Sequence, residues 1–151
     1  MIRLVAIFLA WSGLRAIYSF TLGQSDPAYR LALEVGTRIP VHFLNLIYGL
    51  LAIAAAVSLW RRRRKGFRLA AVALALYTAS TLFGLAQIRN HPEAARQAYA
   101  ASREARGLPI RPERLDEMFS ESGQRAVTVI GLAMCIIPFG LLLWRRKELQ
   151  N

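Results

Sequence analysis

Apolar residues in this chain form four long blocks instead of a repeating stripe. The blocks cover residues 4–23, 39–60, 67–88 and 126–144, and charged residues are almost absent within them. Each block is close to the ~20 residues that an α-helix needs to cross ~30 Å of hydrocarbon. Helices of a soluble bundle would each carry a polar face, and these do not. The pattern therefore predicts an all-α membrane protein, a bundle of four transmembrane helices forming a single domain over residues 1–151.

The connections on one side of the four blocks are predicted to be helical as well. Asp26 is placed to cap a helix that begins at Pro27, and Gly36 is placed to end it. Pro92 and Pro112 mark two further helix starts, so we expect short extracytoplasmic helices that cap the outer side of the bundle. These connections are residues 24–38 and 89–123. The apolar side of the second connection is expected to rest on the bundle through Ala94, Ala98, Ala101 and Ala105.

The net charge of +11 is concentrated at one end of the predicted spans, whereas acids and bases balance in the other connections. Loops retained in the cytoplasm are rich in Lys and Arg. We therefore expect a multi-pass protein of a bacterial-type inner (plasma) membrane with both termini cytoplasmic. The same basic residues favour contact with anionic lipid head groups, and the orientation signal leaves little reason to expect nucleic-acid binding. The densest basic cluster is Arg61, Arg62, Arg63, Arg64 and Lys65.

The two halves of the chain resemble each other. When the sequence is shifted by 65 residues, residues 2–27 align with residues 67–92 without a gap, and Pro27 meets Pro92. Both halves then end on a Trp-Arg-Arg segment. This favours two tandem helical hairpins in the same orientation. The alternative is that any hairpin of this topology begins with a basic residue and ends with Trp-Arg-Arg.

Arg15 is the one charged residue deep inside a predicted span. It lies ~18 Å from the basic end of the helix, where a charge costs on the order of 3 kcal/mol. His42 and Asn45 of the second span lie at a similar depth, and Tyr77 and Thr81 of the third span can approach them. We hypothesise that these five residues line a polar cavity. The alternative is an Arg15 that snorkels towards water, with ordinary hydrogen bonds between helices.

The sequence shows no recognisable catalytic constellation, metal motif, phosphate loop or cysteine pair, since Cys135 is the single cysteine. We therefore predict no enzymatic activity, cofactor or metal. His42 and His91 are the only histidines, and two histidines can ligate a haem, but no other feature supports that interpretation. All acidic residues lie outside the predicted spans, which disfavours proton-coupled export.

Two functions remain open on these observations. The favoured one is a structural or accessory role, in which the small protein assembles with itself or with a larger membrane complex. The alternative is a small carrier or binding protein for an anionic or amphipathic ligand, held by the polar cluster around Arg15.

Overall fold

The computed structural model describes residues 2–36, 41–62 and 64–144, apart from the side chains of His42 and Arg64. These residues form seven α-helices and one short 3-10 turn, and they contain no strand. Four of the helices are long and apolar enough to cross a membrane. The long helices are α1 (Ile2–Leu22), α3 (Val41–Trp60), α4 (Arg64–Asn90) and α7 (Glu121–Trp144), and the short ones are α2 (Pro27–Glu34), α5 (Pro92–Ala105) and α6 (Pro112–Phe119).

The all-α prediction and the four helices of membrane-spanning length are confirmed. Two helices extend beyond their apolar blocks, because α4 begins at Arg64 and α7 begins at Glu121, ahead of the predicted 67 and 126. Backbone hydrogen bonding does not stop where hydrophobicity stops, and an acid such as Glu121 is favourable in the first turn of a helix. Residues 39–40 of the second predicted block lie outside the described residues.

The long helices pack most closely at the end that carries Trp60 and Arg61, which we call the basic end. Here α1 packs chiefly on α3, α3 on α4, and α4 on α7, whereas α1 and α7 touch only sparsely. Small side chains let the helix backbones approach one another in this region. The buried cluster at the basic end consists of Ile2, Val5, Ala6, Leu9, Ala52, Ala55, Ala56, Leu59, Ala70, Ala73, Leu74 and Leu142.

Helices α1 and α3 cross where two glycines meet. A Cβ atom on Gly13 would lie 2.9 Å from the carbonyl oxygen of Gly49, and a Cβ atom on Gly49 would lie 2.9 Å from the carbonyl oxygen of Gly13. Any larger residue at either position would push the two backbones apart. The two helices can cross this closely because neither glycine carries a side chain at the contact.

The short helices gather at the opposite end of the long helices, which we call the cap end. The Asp26 carboxylate accepts a hydrogen bond from the Tyr29 amide at 3.3 Å, and Pro27 occupies the first helical position of α2, as expected from the sequence. Gly36 follows α2 with a φ of +69°, a backbone conformation that favours glycine.

Helix α5 buries a face that shares Ala98 with the predicted one but is rotated towards Ala95 and Ser102. Ala95, Ala98 and Ser102 are buried, whereas Ala105 is exposed. The Ser102 hydroxyl donates a 2.6 Å hydrogen bond to the carbonyl of Ser25, and this bond fixes the rotation of α5 against the end of α1. A small apolar cluster then joins the cap to α4, and its members are Leu31, Val35, Ile88, Ala94, Ala95, Ala98 and Phe119.

Candidate functional site

Arg15 stands on an exposed side of α1 and is accompanied by an aromatic ring. Its guanidinium carbon lies 5.6 Å from the centroid of the Trp11 ring, one turn away on the same helix. The Trp11 side chain is itself 45% exposed. Within the described part of the chain Arg15 has no ion pair or hydrogen bond. The charge is therefore stabilised by a cation–π contact instead of by an acid.

A buried polar contact between two long helices lies close to Arg15, at Ser12. The Ser12 hydroxyl donates to the carbonyl of Leu9 at 3.1 Å and lies 2.7 Å from the Tyr48 hydroxyl. Because the Ser12 proton is used in the first bond, Tyr48 is the donor in the second. This bond links α1 to α3 and was not predicted.

An aromatic layer continues from this bond across the molecule. The Tyr48 and Tyr77 rings lie 6.1 Å apart, and the Phe8 ring meets Tyr77 edge to face at 5.3 Å. The Tyr77 hydroxyl in turn lies 3.9 Å from the sulfur of Met134. One continuous set of contacts therefore joins α1, α3, α4 and α7 at mid-length.

Three of the five residues of the hypothesised cluster lie near one another, because the Tyr77 hydroxyl is hydrogen-bonded to the Thr81 side chain and lies within electrostatic range of Arg15. Tyr77 and Thr81 lie together on the face of α4 that meets α7, where a Cβ on Gly131 would be 3.5 Å from the Thr81 methyl carbon. Asn45 is partly buried and makes no side-chain hydrogen bond to a described residue. The side chain of His42 lies outside the described residues. Ligand binding by this set stays a prediction.

A groove opens between α4 and α7 towards the cap end and encloses about 1090 Å³. The two helices touch at Gly131, whose added Cβ would lie 3.2 Å from the Leu85 side chain. Beyond that contact α7 stands apart, and every residue from 125 to 130 is exposed. We call this space the α4–α7 groove, and it is lined by Leu82, Leu85, Ala86, Ile88, Arg89, Asn90, Glu121, Gln124, Arg125, Val127, Thr128, Val129 and Leu132.

Polarity changes along the groove. Leu82, Leu85 and Leu132 form the deeper part, while Arg89 and Arg125 stand with two amide side chains at the cap end. Arg125 pairs with Glu121 one turn earlier, and both of these side chains are largely exposed. Arg89 has no ion pair or hydrogen bond with a described residue. The groove therefore combines a cationic mouth with an apolar interior.

Sequence reasoning missed this groove, although a signal was present. Arg89 follows the third apolar block and Arg125 precedes the fourth, so consecutive antiparallel spans place both residues at one depth. The charge balance assigns Arg89 to the connection and leaves Arg125 outside it, so it does not show that the two residues share one position.

Among the described residues, no group of three or more His, Cys, Asp and Glu side chains is arranged to hold a metal ion. In comparisons with known proteins, no family model matches the chain, and neither a curated protein nor a solved structure matches it.

Proposed function

We propose that this protein binds an anionic amphiphile in the α4–α7 groove. A molecule with an acidic head group and an apolar tail matches both parts of the groove. Guanidinium groups such as those of Arg89 and Arg125 bind phosphate and carboxylate oxygens in paired hydrogen bonds. The single observation that carries the proposal is this change from a cationic mouth to an apolar interior within one groove.

The size of the groove favours a lipid-like ligand over a small polar metabolite. Its volume of about 1090 Å³ is at or above the upper end of ordinary small-molecule pockets, roughly 300–1,000 Å³. The groove is also open along its side, so an acyl chain can enter from the hydrocarbon of a bilayer. A water-soluble ligand would not enter through a lateral opening that faces hydrocarbon.

We also propose that the four long helices form a bundle in the inner membrane with the basic end in the cytoplasm. The support is the excess of Arg and Lys at that end. Arg3 lies over the Trp60 ring at 5.3 Å, and this pairing suits the interface between lipid and water. In this orientation the cap and the mouth of the groove face outwards, and the groove lies in the outer leaflet.

Native mass spectrometry of the full chain tests the proposed function. Protein released from nanodiscs with equal phosphatidylglycerol and phosphatidylethanolamine should retain phosphatidylglycerol preferentially. The double variant R89Q/R125Q should lose about tenfold in this preference, because it removes two charge-assisted contacts. R15Q is the matched control for a charge elsewhere in the helices. Equal retention of both lipids by the wild type, or an unchanged preference in the double variant, would contradict the proposal.

The same experiment separates the groove from the site first predicted at Arg15. If the anionic ligand is held at Arg15, R15Q loses the preference and R89Q/R125Q keeps it. The exposed position of Arg15 and its contact with Trp11 are compatible with that second outcome.

A second candidate function is the accessory role, and the exposure of α7 favours it. Residues 125–130 cover more than one full turn, and all are exposed, so this part of α7 has few neighbours in its own chain. Helix association in membranes depends on packing, and a helix from a second copy would supply it. Single-cysteine variants I130C and I137C in a Cys135→Ser background should form cross-linked dimers in native membranes, whereas L14C should not. Absence of cross-links at both α7 positions would exclude this arrangement.

A further inference from the structure

A second cavity of about 530 Å³ lies inside the cap, between α5, the connection that follows it, and α6. It is separate from the α4–α7 groove, and none of its lining residues lines the groove. Three arginines face this space, against one lining acid, Glu117. The arginines are Arg103, Arg111 and Arg114.

Arg103 is held in place by its neighbours. Its Nε donates to the carbonyl of Pro109 at 3.1 Å, and a terminal nitrogen lies 3.5 Å from the Tyr99 hydroxyl. The Leu108 amide donates a 2.9 Å hydrogen bond to the Arg103 carbonyl, and this bond folds the connection back over α5. A partly buried guanidinium is therefore fixed in one wall of the cavity before any ligand arrives.

Arg111 and Arg114 are exposed and make no ion pair or hydrogen bond with a described residue. Both stand at the beginning of α6, the end of a helix at which cations are disfavoured. Asp116, an acid of the same helix, is engaged by Arg96. The three cations around the cavity repel each other, and the one lining acid, Glu117, leaves two positive charges in excess.

The floor of the cavity is apolar. Leu115 is buried at 7% exposure, and Met118 and the Tyr99 ring complete the surface. Tyr99 is itself supported by Phe119, with the ring centroids 6.4 Å apart. A purely hydrophilic anion would leave this floor unused, whereas an anion with an aromatic or short apolar group would cover it.

We propose that the cap cavity binds a small organic carboxylate carrying an aromatic or apolar group, with the carboxylate between Arg103, Arg111 and Arg114. This goes beyond the proposed function, since it concerns another cavity and a ligand that approaches from water. The volume of about 530 Å³ lies within the range of small-molecule sites.

Fluorine NMR of the full chain in nanodiscs tests this proposal, with para-trifluoromethylbenzoate as the probe. The wild type should broaden the benzoate signal saturably and should leave neutral para-trifluoromethylbenzyl alcohol, which has the same ring, unaffected. R111Q/R114Q should weaken the apparent affinity by about tenfold. These two arginines are exposed, so their replacement leaves the packing of the cap intact.

The groove variant R89Q/R125Q is the matched control, because it removes the same charge from the other cavity and should retain the benzoate effect. Three results would overturn the proposal: equal broadening of the alcohol, an unchanged affinity in R111Q/R114Q, or a loss seen only in R89Q/R125Q. The last result would place the anion in the groove.

Discussion

Two arginines at the long helices each lie over a tryptophan ring. Arg15 lies over Trp11 within α1, and Arg3 lies over Trp60 across two helices. A ring face attracts a cation without introducing a second charge, which suits a low-dielectric environment. The aromatic ring is therefore the partner of Arg15 on a helix where no described acid accompanies it.

The Arg15–Trp11 contact is expected to be measurable in a double-mutant cycle. R15Q and W11L should each lower the free energy of unfolding in detergent. The double variant should lose about 0.5–1 kcal/mol less unfolding free energy than the two single variants lose together, because the contact can be lost only once. A coupling free energy of zero would show that Arg15 is stabilised by something other than this ring.

The bond between Ser12 and Tyr48 gives a second expectation for a single side chain. Y48F should lower the free energy of unfolding by about 1 kcal/mol, because it removes the donor to Ser12 while Ser12 keeps its bond to Leu9. Y18F is the control, since Tyr18 is 58% exposed. Unfolding with increasing amounts of a denaturing detergent measures the stability of Y48F and Y18F. Equal stabilities of the two variants would argue against the Ser12–Tyr48 bond.

Among whole elements, α1 and α3 form the tightest pair, and their glycine crossing accounts for this. Helices α4 and α7 pack together from the basic end as far as Gly131 and separate towards the cap end. The separation of α4 from α7 at the cap end creates the groove.

Substitution at the glycine crossing should be far more damaging than substitution at an open glycine. G49V should destabilise the protein by several kcal/mol or prevent folding, because even its Cβ would meet the Gly13 carbonyl oxygen at 2.9 Å. G140A is the matched control, as nothing lies within 4 Å of its added Cβ, and it should raise stability slightly. The milder G49A should fall between them in thermal unfolding. If G49A matched G140A, the close crossing would be wrong.

In the molecule as a whole, two helical hairpins share a packed basic end and differ at the cap end. The predicted duplication stays a prediction, but each proposed repeat corresponds to one helix pair that is in contact, α1 with α3 and α4 with α7. The longer connection of the second half supplies α5 and α6, which hold the second cavity.

The proposed orientation has a direct test in intact cells. Single cysteines at Gln97 in the cap and at Arg62 at the basic end, both exposed, are introduced into a Cys135→Ser chain. A membrane-impermeant thiol reagent should label Q97C before cell lysis and R62C only after it. The opposite order would reverse the topology and place the groove in the inner leaflet.

Local chemistry was sufficient to predict the helices themselves. A block of about 20 apolar residues needs internal backbone hydrogen bonds in hydrocarbon, whatever its neighbours are. A cap such as Asp26 with Pro27 acts within one turn, so α2 was predictable from adjacent residues.

The contacts between helices were not predictable in the same way. An apolar block carries no polar face to show which side meets a neighbour, so the rotation of each helix depends on how small residues such as Gly13 and Gly49 fit together. At the α1–α3 crossing this fit turns Ser12 inwards, where it meets Tyr48. Both cavities depend on the angle and distance between packed helices, and the sequence of a single helix does not determine either quantity.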